Sequence, residues 1–227
     1  MTIILLVIII VYLKINLKIK MVELYTQIKK LELGLVYNYV IENNNAYMNP
    51  YHNNFHLEHV CLFSLKGCEY YKVEIPWKRM VATAALFHDF NHSGGKNKND
   101  DDNILLAIKG FIDFNLEYNI FDEEEQKVIT NLIKCTRYPY TNDSDSLTLT
   151  ENILRDSDIL QGPFCQNYIN GVVYGIAREA GIPLDKMLAG QVEFLKSAKF
   201  CTEWATSLYE NILPDVLDKV ESARQLV

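Results

Sequence analysis

From Met21 onward, apolar positions recur every three or four residues, a spacing that predicts helices joined by short polar loops. Met21 to Glu42 carries Val22, Leu24, Ile28, Leu31, Leu35, Val36 and Val40 at that spacing and runs out in Asn43-Asn44-Asn45. Helices are expected over Tyr51–Tyr71 and Pro76–Phe90. Pro76 suits a first turn, where its missing N–H has no intrahelical partner to lose. Asn91 to Asp102 is polar and holds Gly94-Gly95, so it reads as a loop leading into a helix over Asn103–Tyr118. Asp122-Glu123-Glu124-Glu125 opens another helix, with negative charge at the positive end of the helix dipole. After a loop from Tyr138 to Thr148, further helices are expected over Phe164–Ala180, Leu184–Asn211 and Pro214–Ala223. Strand-like alternation is nowhere sustained, so residues 21–227 read as one all-α domain.

The N-terminus breaks this pattern. Ile3 to Leu13 is an unbroken apolar run of eleven residues ending at Lys14. That is short of the roughly 17 to 20 needed to span a bilayer, and it lacks the basic start and small-residue cleavage site of a secretory signal. Two readings stand: translation begins at Met21, or residues 1–20 attach the chain weakly to a membrane. Neither makes them part of the fold.

Composition narrows the class. The chain has 227 residues, 49% of them hydrophobic and 22% charged, enough for one sizeable core. A net charge of −7 argues against a duplex nucleic-acid partner, which selects a basic surface. A small anionic substrate remains compatible, because a bound cation can attract it. The five cysteines (61, 68, 135, 165 and 201) are odd in number and lack CxxC spacing, which points to thiols in a reducing, cytoplasmic setting.

All five histidines fall between positions 52 and 92, in Tyr51-His52-Asn53-Asn54-Phe55-His56, at His59, and in His88-Asp89-Phe90-Asn91-His92. His52, His56 and His59 are four and three apart and are expected on one helix face. The His88-Asp89 dyad ends an apolar run through Met80, Val81, Ala84, Ala85, Leu86 and Phe87, so both side chains start from the core. A buried carboxylate beside an imidazole is costly, and a cation relieves that cost. With Asp158, these residues make a set of two imidazoles (His56, His88) and two carboxylates (Asp89, Asp158), suited to zinc, iron or manganese. Asp156 and Asp158 are two apart and point to different helix faces, so only one is expected to reach the ion, and the other reads as a solvated or water-touching carboxylate. Asp100-Asp101-Asp102 reads as a solvated loop or a helix N-terminus.

These motifs resemble those of HD-domain metal-dependent phosphohydrolases, and within them the 3′,5′-cyclic nucleotide phosphodiesterases. The likeness rests on Tyr51-His52-Asn53-x-x-His56-x-x-x-Val60, on His88-Asp89-x-x-His92-x-Gly94-x-x-Asn97, and on Gly190-Gln191-Val192-Glu193-Phe194-Leu195. It implies an HD-type helical bundle with two divalent ions. His56, His88, Asp89 and Asp158 would hold a tight zinc, and Asp89 would bridge to magnesium or manganese. His52 would be the general acid, and His92 would touch metal-coordinated water. Tyr51 would line the pocket, and Gln191 with Phe194 would hold the base. The implied reaction opens a cyclic nucleotide to a 5′-phosphate with a hydroxide shared by two metals.

The chain departs from that pattern in places. His59 stands where the family carries aspartate, the stretch between His92 and Asp158 is short, and Asp158 to Pro163 is one residue longer than expected. A more open pocket follows, with room for cyclic oligonucleotides or linear dinucleotides. The competing readings are a generic HD-family nucleotide phosphohydrolase, acting on nucleoside mono- or triphosphates, and a metal-dependent nucleotide-binding protein without turnover.

Overall fold

Helices account for all the regular structure among the described residues, which are 22–95, 99–140, 146–165 and 167–227 of a computed structural model. In chain order they are α1 (22–30), α2 (Gly34–Asn43), a 3-10 turn (Asn45–Met48), α3 (Asn54–Tyr70), α4 (Ile75–Phe87), α5 (Asp100–Tyr118), α6 (Glu123–Cys135) and α7 (Leu149–Leu160). A π-helical turn (Tyr168–Val173) then continues into α8 (Tyr174–Ala180), followed by α9 (Leu184–Ser197) and α10 (Glu203–Arg224). The apolar segment 1–20 lies outside the described residues, and among those described no helix is long and apolar enough to cross a membrane.

Two apolar clusters fill the interior. One gathers Leu24, Leu57, Val81, Phe87, Phe111, Ile133 and Leu154 from α1, α3, α4, α5, α6 and α7. The other gathers Phe63 and Leu160 with Val173, Leu188, Leu195, Ala205 and Val216 of the C-terminal helices. Helices α3 and α7 contribute to both clusters, and Asp158 stands between Leu154 of the first and Leu160 of the second. The seam between the clusters is where the polar residues of the site collect.

Several helix ends differ from expectation, each for an identifiable reason. The helix expected over Met21–Glu42 is split at Glu32, which adopts φ +57°. The Leu33 N–H donates to Ile28 O at 3.0 Å and the Glu32 N–H to Lys29 O at 3.1 Å, closing α1 as glycine usually does. Lys72, at φ +53°, ends α3 in the same way. Asparagine 53 caps α3 through its side chain, so the helix starts at Asn54 and leaves Tyr51 and His52 in the preceding turn. Likewise α4 stops at Phe87, and α5 starts early, capped by Asn99. The loop expected through Asp102 is thus three residues shorter at its end.

At the C-terminus the expected break before Pro214 is absent. Pro214 lies inside α10 on an exposed stretch, where the carbonyl that loses its partner can face water. The break falls instead at 198–202, because Asp156 takes the backbone there: its carboxylate accepts from Cys201 N and Thr202 N, each at 2.8 Å, and from Thr202 Oγ1 at 2.6 Å. Asp156 is therefore buried and structural, not solvated.

Candidate metal centre

The turn 50–53 and the first turn of α3 carry the first histidines. Asn53 Oδ1 accepts from Phe55 N at 2.9 Å and His56 N at 3.4 Å, which orients the start of the helix. His52 precedes α3, so the three histidines expected on one helix face do not share one. His59 is buried on α3 against the Phe55 ring, 4.0 Å between centroids, and belongs to neither histidine group described below.

His88 and Asp89 occupy the turn that follows α4. Asn44, buried, clamps this turn from a distance: its Oδ1 accepts from Asn91 N at 2.8 Å, and its Nδ2 donates to Asn54 Oδ1 at 2.7 Å. Asn91 takes φ +63° and returns a bond, its Oδ1 accepting from Asn45 N at 2.8 Å. His92 N then donates to Asp89 O at 3.0 Å. The asparagine run that reads as a helix terminus in the sequence is therefore also the brace of the His-Asp turn.

On α7, capped by Thr148 and Glu151, Asp158 faces His56 and His88 while Asp156 faces the start of α10. Two residues along a helix is more than half a turn, so the two carboxylates serve different parts of the molecule.

His56, His88 and Asp158 each bring one ligand atom within 4.8 Å of the others, and Asp89 approaches the two histidines. His56 Nε2 and His88 Nε2 are 3.1 Å apart. Asp89 Oδ2 lies 3.1 Å from the first and 3.3 Å from the second. Asp158 Oδ1 lies 3.3 and 3.5 Å from the same atoms. His88 Nδ1 meets Ala85 O at 2.8 Å, and a carbonyl can only accept, so that nitrogen bears hydrogen. In its neutral form the His88 ring then aims a lone pair from Nε2 at the other donors. Lone pairs and carboxylates at this spacing repel one another unless a positive centre lies among them. The spacing matches neighbouring ligands of a first-row divalent ion, whose bonds to N and O are about 2.0–2.2 Å. His56, His88 and Asp158 fit such an ion, with Asp89 beside the same two imidazoles.

The ionisation of the same groups expresses the same demand for positive charge. Burial pushes the His88 imidazole down, but the Asp89 charge and hydrogen bonds to Asp158 and Asp89 outweigh it, and the ring sits well above its ordinary value. Burial pushes Asp89 up, yet the His88 charge and hydrogen bonds from His56 and His88 bring it well below the carboxylate range. Asp158 also resists the upward push of burial, held at about 2 by His56 and His88. Behind His56, the Gln161 side-chain amide meets His56 Nδ1 at 3.0 Å and the Tyr51 hydroxyl at 2.7 Å. A cation on Nε2 requires the His56 proton on Nδ1, and Gln161 then turns its carbonyl oxygen to both groups.

Beside this cluster stands a second group. Glu179, near the end of α8, accepts from Tyr51 N at 2.7 Å and His52 N at 2.9 Å through Oε1. Its Oε2 lies 2.5 Å from His52 Nδ1. The other ring nitrogen of His52 is 4.0 Å from Asp89 Oδ2, so His52 spans from Glu179 to a side chain of the first cluster. Burial pushes the His52 ring down, but the bond to Glu179 and the charge on Asp89 reverse this, and the net shift is upward. His92 stacks on His52 with ring centroids 3.8 Å apart; its Nδ1 accepts from Gly94 N at 3.1 Å and its Nε2 meets the Asn103 amide at 2.9 Å.

Glu179 carries no periodic or motif signal, and sequence reading misses it. The one local hint is Gly175, four residues earlier on the same helix face. A Cβ there would lie 2.9 Å from Pro50 O and 3.1 Å from Tyr51 Cβ, so only glycine lets α8 approach the 50–53 turn this closely. Gly95 makes a similar approach from the other side, at φ +80° with its Cβ direction aimed at the Glu179 carbonyl.

Of the residues expected to hold a base, Tyr51 lines a pocket of about 230 Å³ with His56, Gln161, Phe55, Cys165 and Val172. Gln191 and Phe194 do not line it. Gln191 is buried, and its Oε1 accepts from the Tyr168 hydroxyl at 2.7 Å, while Phe194 packs partly buried against the C-terminal apolar cluster. No protein-family model matches the sequence, and a search of curated proteins returns no match.

Proposed function

We propose that this protein is an HD-type, metal-dependent phosphohydrolase that cleaves a phosphate ester whose leaving group is a sugar oxygen, with 3′,5′-cyclic nucleotides as substrates and 5′-phosphates as products. The observation that carries the reading is His52. It is fixed by Glu179 on one ring nitrogen, and its other nitrogen lies 4.0 Å from Asp89 of the cation cluster.

His56, His88, Asp89 and Asp158 are the residues that would hold the ion. Such a cation supplies Lewis acidity toward a phosphoryl oxygen and activates water for attack. The protein's own residues account for the rest. A departing sugar alkoxide is strongly basic and needs a proton, and imidazole is the side chain best matched to deliver one near neutral pH. The Glu179 carboxylate keeps the His52 proton relay in register: it holds one nitrogen as donor and stabilises the protonated ring. Buried His92, stacked on His52, restricts the ring to one plane. Tyr51 and Gln161 hold His56 in its orientation.

One observation favours the broader alternative, a generic HD-family nucleotide phosphohydrolase acting on nucleoside mono- or triphosphates. The Gln191 carbonyl, which base recognition would need, is committed to Tyr168. The deciding experiment loads residues 21–227 with zinc plus magnesium or manganese and chromatographs the products of cyclic AMP, cyclic GMP, cyclic dinucleotides and dNTPs. Turnover of cyclic mononucleotides to 5′-monophosphates supports the first reading. Turnover of dNTPs alone supports the second, and no metal-dependent turnover of any of them, or of nucleoside monophosphates run alongside, defeats both.

A further inference from the structure

We propose that His52, His92 and Glu179 form a second transition-metal site, separate from the His56/His88/Asp158 cluster, which takes up zinc when zinc is in excess.

One ring nitrogen from each histidine and one carboxylate oxygen of Glu179 lie within 4.8 Å of one another. Two imidazoles and one carboxylate, with a further position left to water, form a well-known donor set for zinc. The three side chains are held in place before any ion arrives. Glu179 has one oxygen anchored by the backbone N–H groups of Tyr51 and His52, which leaves the other oxygen toward the histidines. His92 is tied by Nδ1 at Gly94 and by Nε2 at Asn103, and an ion takes the place of one of these two bonds. The two rings lie alongside each other, 3.8 Å between centroids and tilted by 28°, so their edges face the same space. Access is open on one side, since the His52 side chain is 26% exposed while that of Glu179 is 4% exposed. Bringing the donors to ligand spacing requires movements of about an ångström or so, within the reach of side-chain torsions.

The donor set selects the ion. Two imidazoles favour zinc, cobalt, nickel or copper over magnesium, which prefers an all-oxygen shell. Magnesium therefore does not compete for this site. An ion here takes the lone pair on which His52 would accept its second proton, so the ring can no longer act as the acid. On the reading of His52 as the acid, excess zinc silences the enzyme that the first zinc activates.

The test counts metal. Wild type, Glu179→Gln and His92→Asn are each equilibrated with excess zinc in the presence of excess magnesium, freed of unbound metal, and assayed for zinc per chain, with circular dichroism to verify folding. Wild type is expected to retain one zinc more than either variant; equal counts overturn the site. A measurement on wild type alone covers the case in which a variant fails to fold. Mass mapping after diethyl pyrocarbonate treatment should find His52 reactive at one equivalent of zinc and protected in excess. Undiminished reactivity overturns the site. In turnover, each protein is compared with its own maximum: the zinc concentration that halves activity should rise about tenfold or more in His92→Asn. If no protein turns over any nucleotide, the metal count still decides the site, and only the proposed reaction falls.

Discussion

Glu179 Oε2 sits 2.5 Å from His52 Nδ1 across 127 residues of chain, and the other oxygen of the same carboxylate holds the backbone N–H groups of Tyr51 and His52. One side chain thus fixes both the position and the tautomer of the proposed acid. Glu179→Gln keeps an oxygen for the backbone N–H groups but cannot stabilise a protonated imidazole. It should lower kcat by about 10²-fold or more with little change in KM. Steady-state kinetics on zinc- and magnesium-loaded protein measure this, and an unchanged kcat would remove Glu179 from the mechanism.

Gly175 governs the same contact by different means. Alanine is the better helix former by about 1 kcal/mol, yet a Cβ here meets Pro50 O at 2.9 Å. Gly175→Ala should therefore cost about 1–3 kcal/mol of stability and reduce kcat, because α8 must retreat and take Glu179 from His52. Urea denaturation and kinetics together check it. A stabilised, fully active variant would show that the close approach is not required.

Asp156 and Asp158 can be separated by their dependence on metal. Asp156→Asn loses a carboxylate that accepts three hydrogen bonds at the 198–202 break and should destabilise by about 1–3 kcal/mol with or without zinc. Asp158→Asn removes a cation-facing oxygen, so its stability deficit should appear with zinc present and shrink in chelator. Thermal melts of both variants in zinc and in EDTA distinguish the two patterns, and identical behaviour would refute the division.

The metal-free protein should have a distinctive pH profile. His88 is held above its ordinary value, so its contribution is full below the ordinary histidine range and is lost as pH rises through the raised value. Asp89 and Asp158 are held low, so theirs is present above the ordinary carboxylate range and is lost as pH falls through their lowered values. In chelator, stability should peak between those limits and decline on the alkaline side. Zinc should cancel that alkaline decline by supplying the positive charge the proton gave. At about 1,000-fold excess over its Kd it should add about 4 kcal/mol. Denaturation curves against pH, with and without zinc, read this directly, and an alkaline decline that zinc leaves untouched would count against a cation at the cluster.

Much of the helical pattern is legible in the chain because it depends on neighbours within four residues. The apolar spacing of α3 to α6, Pro76 in the first turn of α4 and Asp122 capping α6 are all local physics. His88 and Asp89 stand out for a related reason: ligating groups at the end of an apolar run imply a buried polar cluster, and the motif likeness adds His56 and Asp158. Where reading failed, the stabilising partner was remote. Glu32 and Lys72 end helices in a left-handed conformation without the glycine that announces one, and the 198–202 break depends on a carboxylate more than forty residues away.

Local spacing thus dictates an all-α chain and the kinds of side chain gathered near its histidines. Chain closure alone assigns the partners: Glu179 to His52, Gln161 to His56, Asn44 to the His88-Asp89 turn, Asp156 to the start of α10, and Gln191 to Tyr168. The reason is that residue type sets what a polar group can bond, whereas burial sets what it must bond. A donor or acceptor far along the chain becomes the available partner only when packing has excluded water from both.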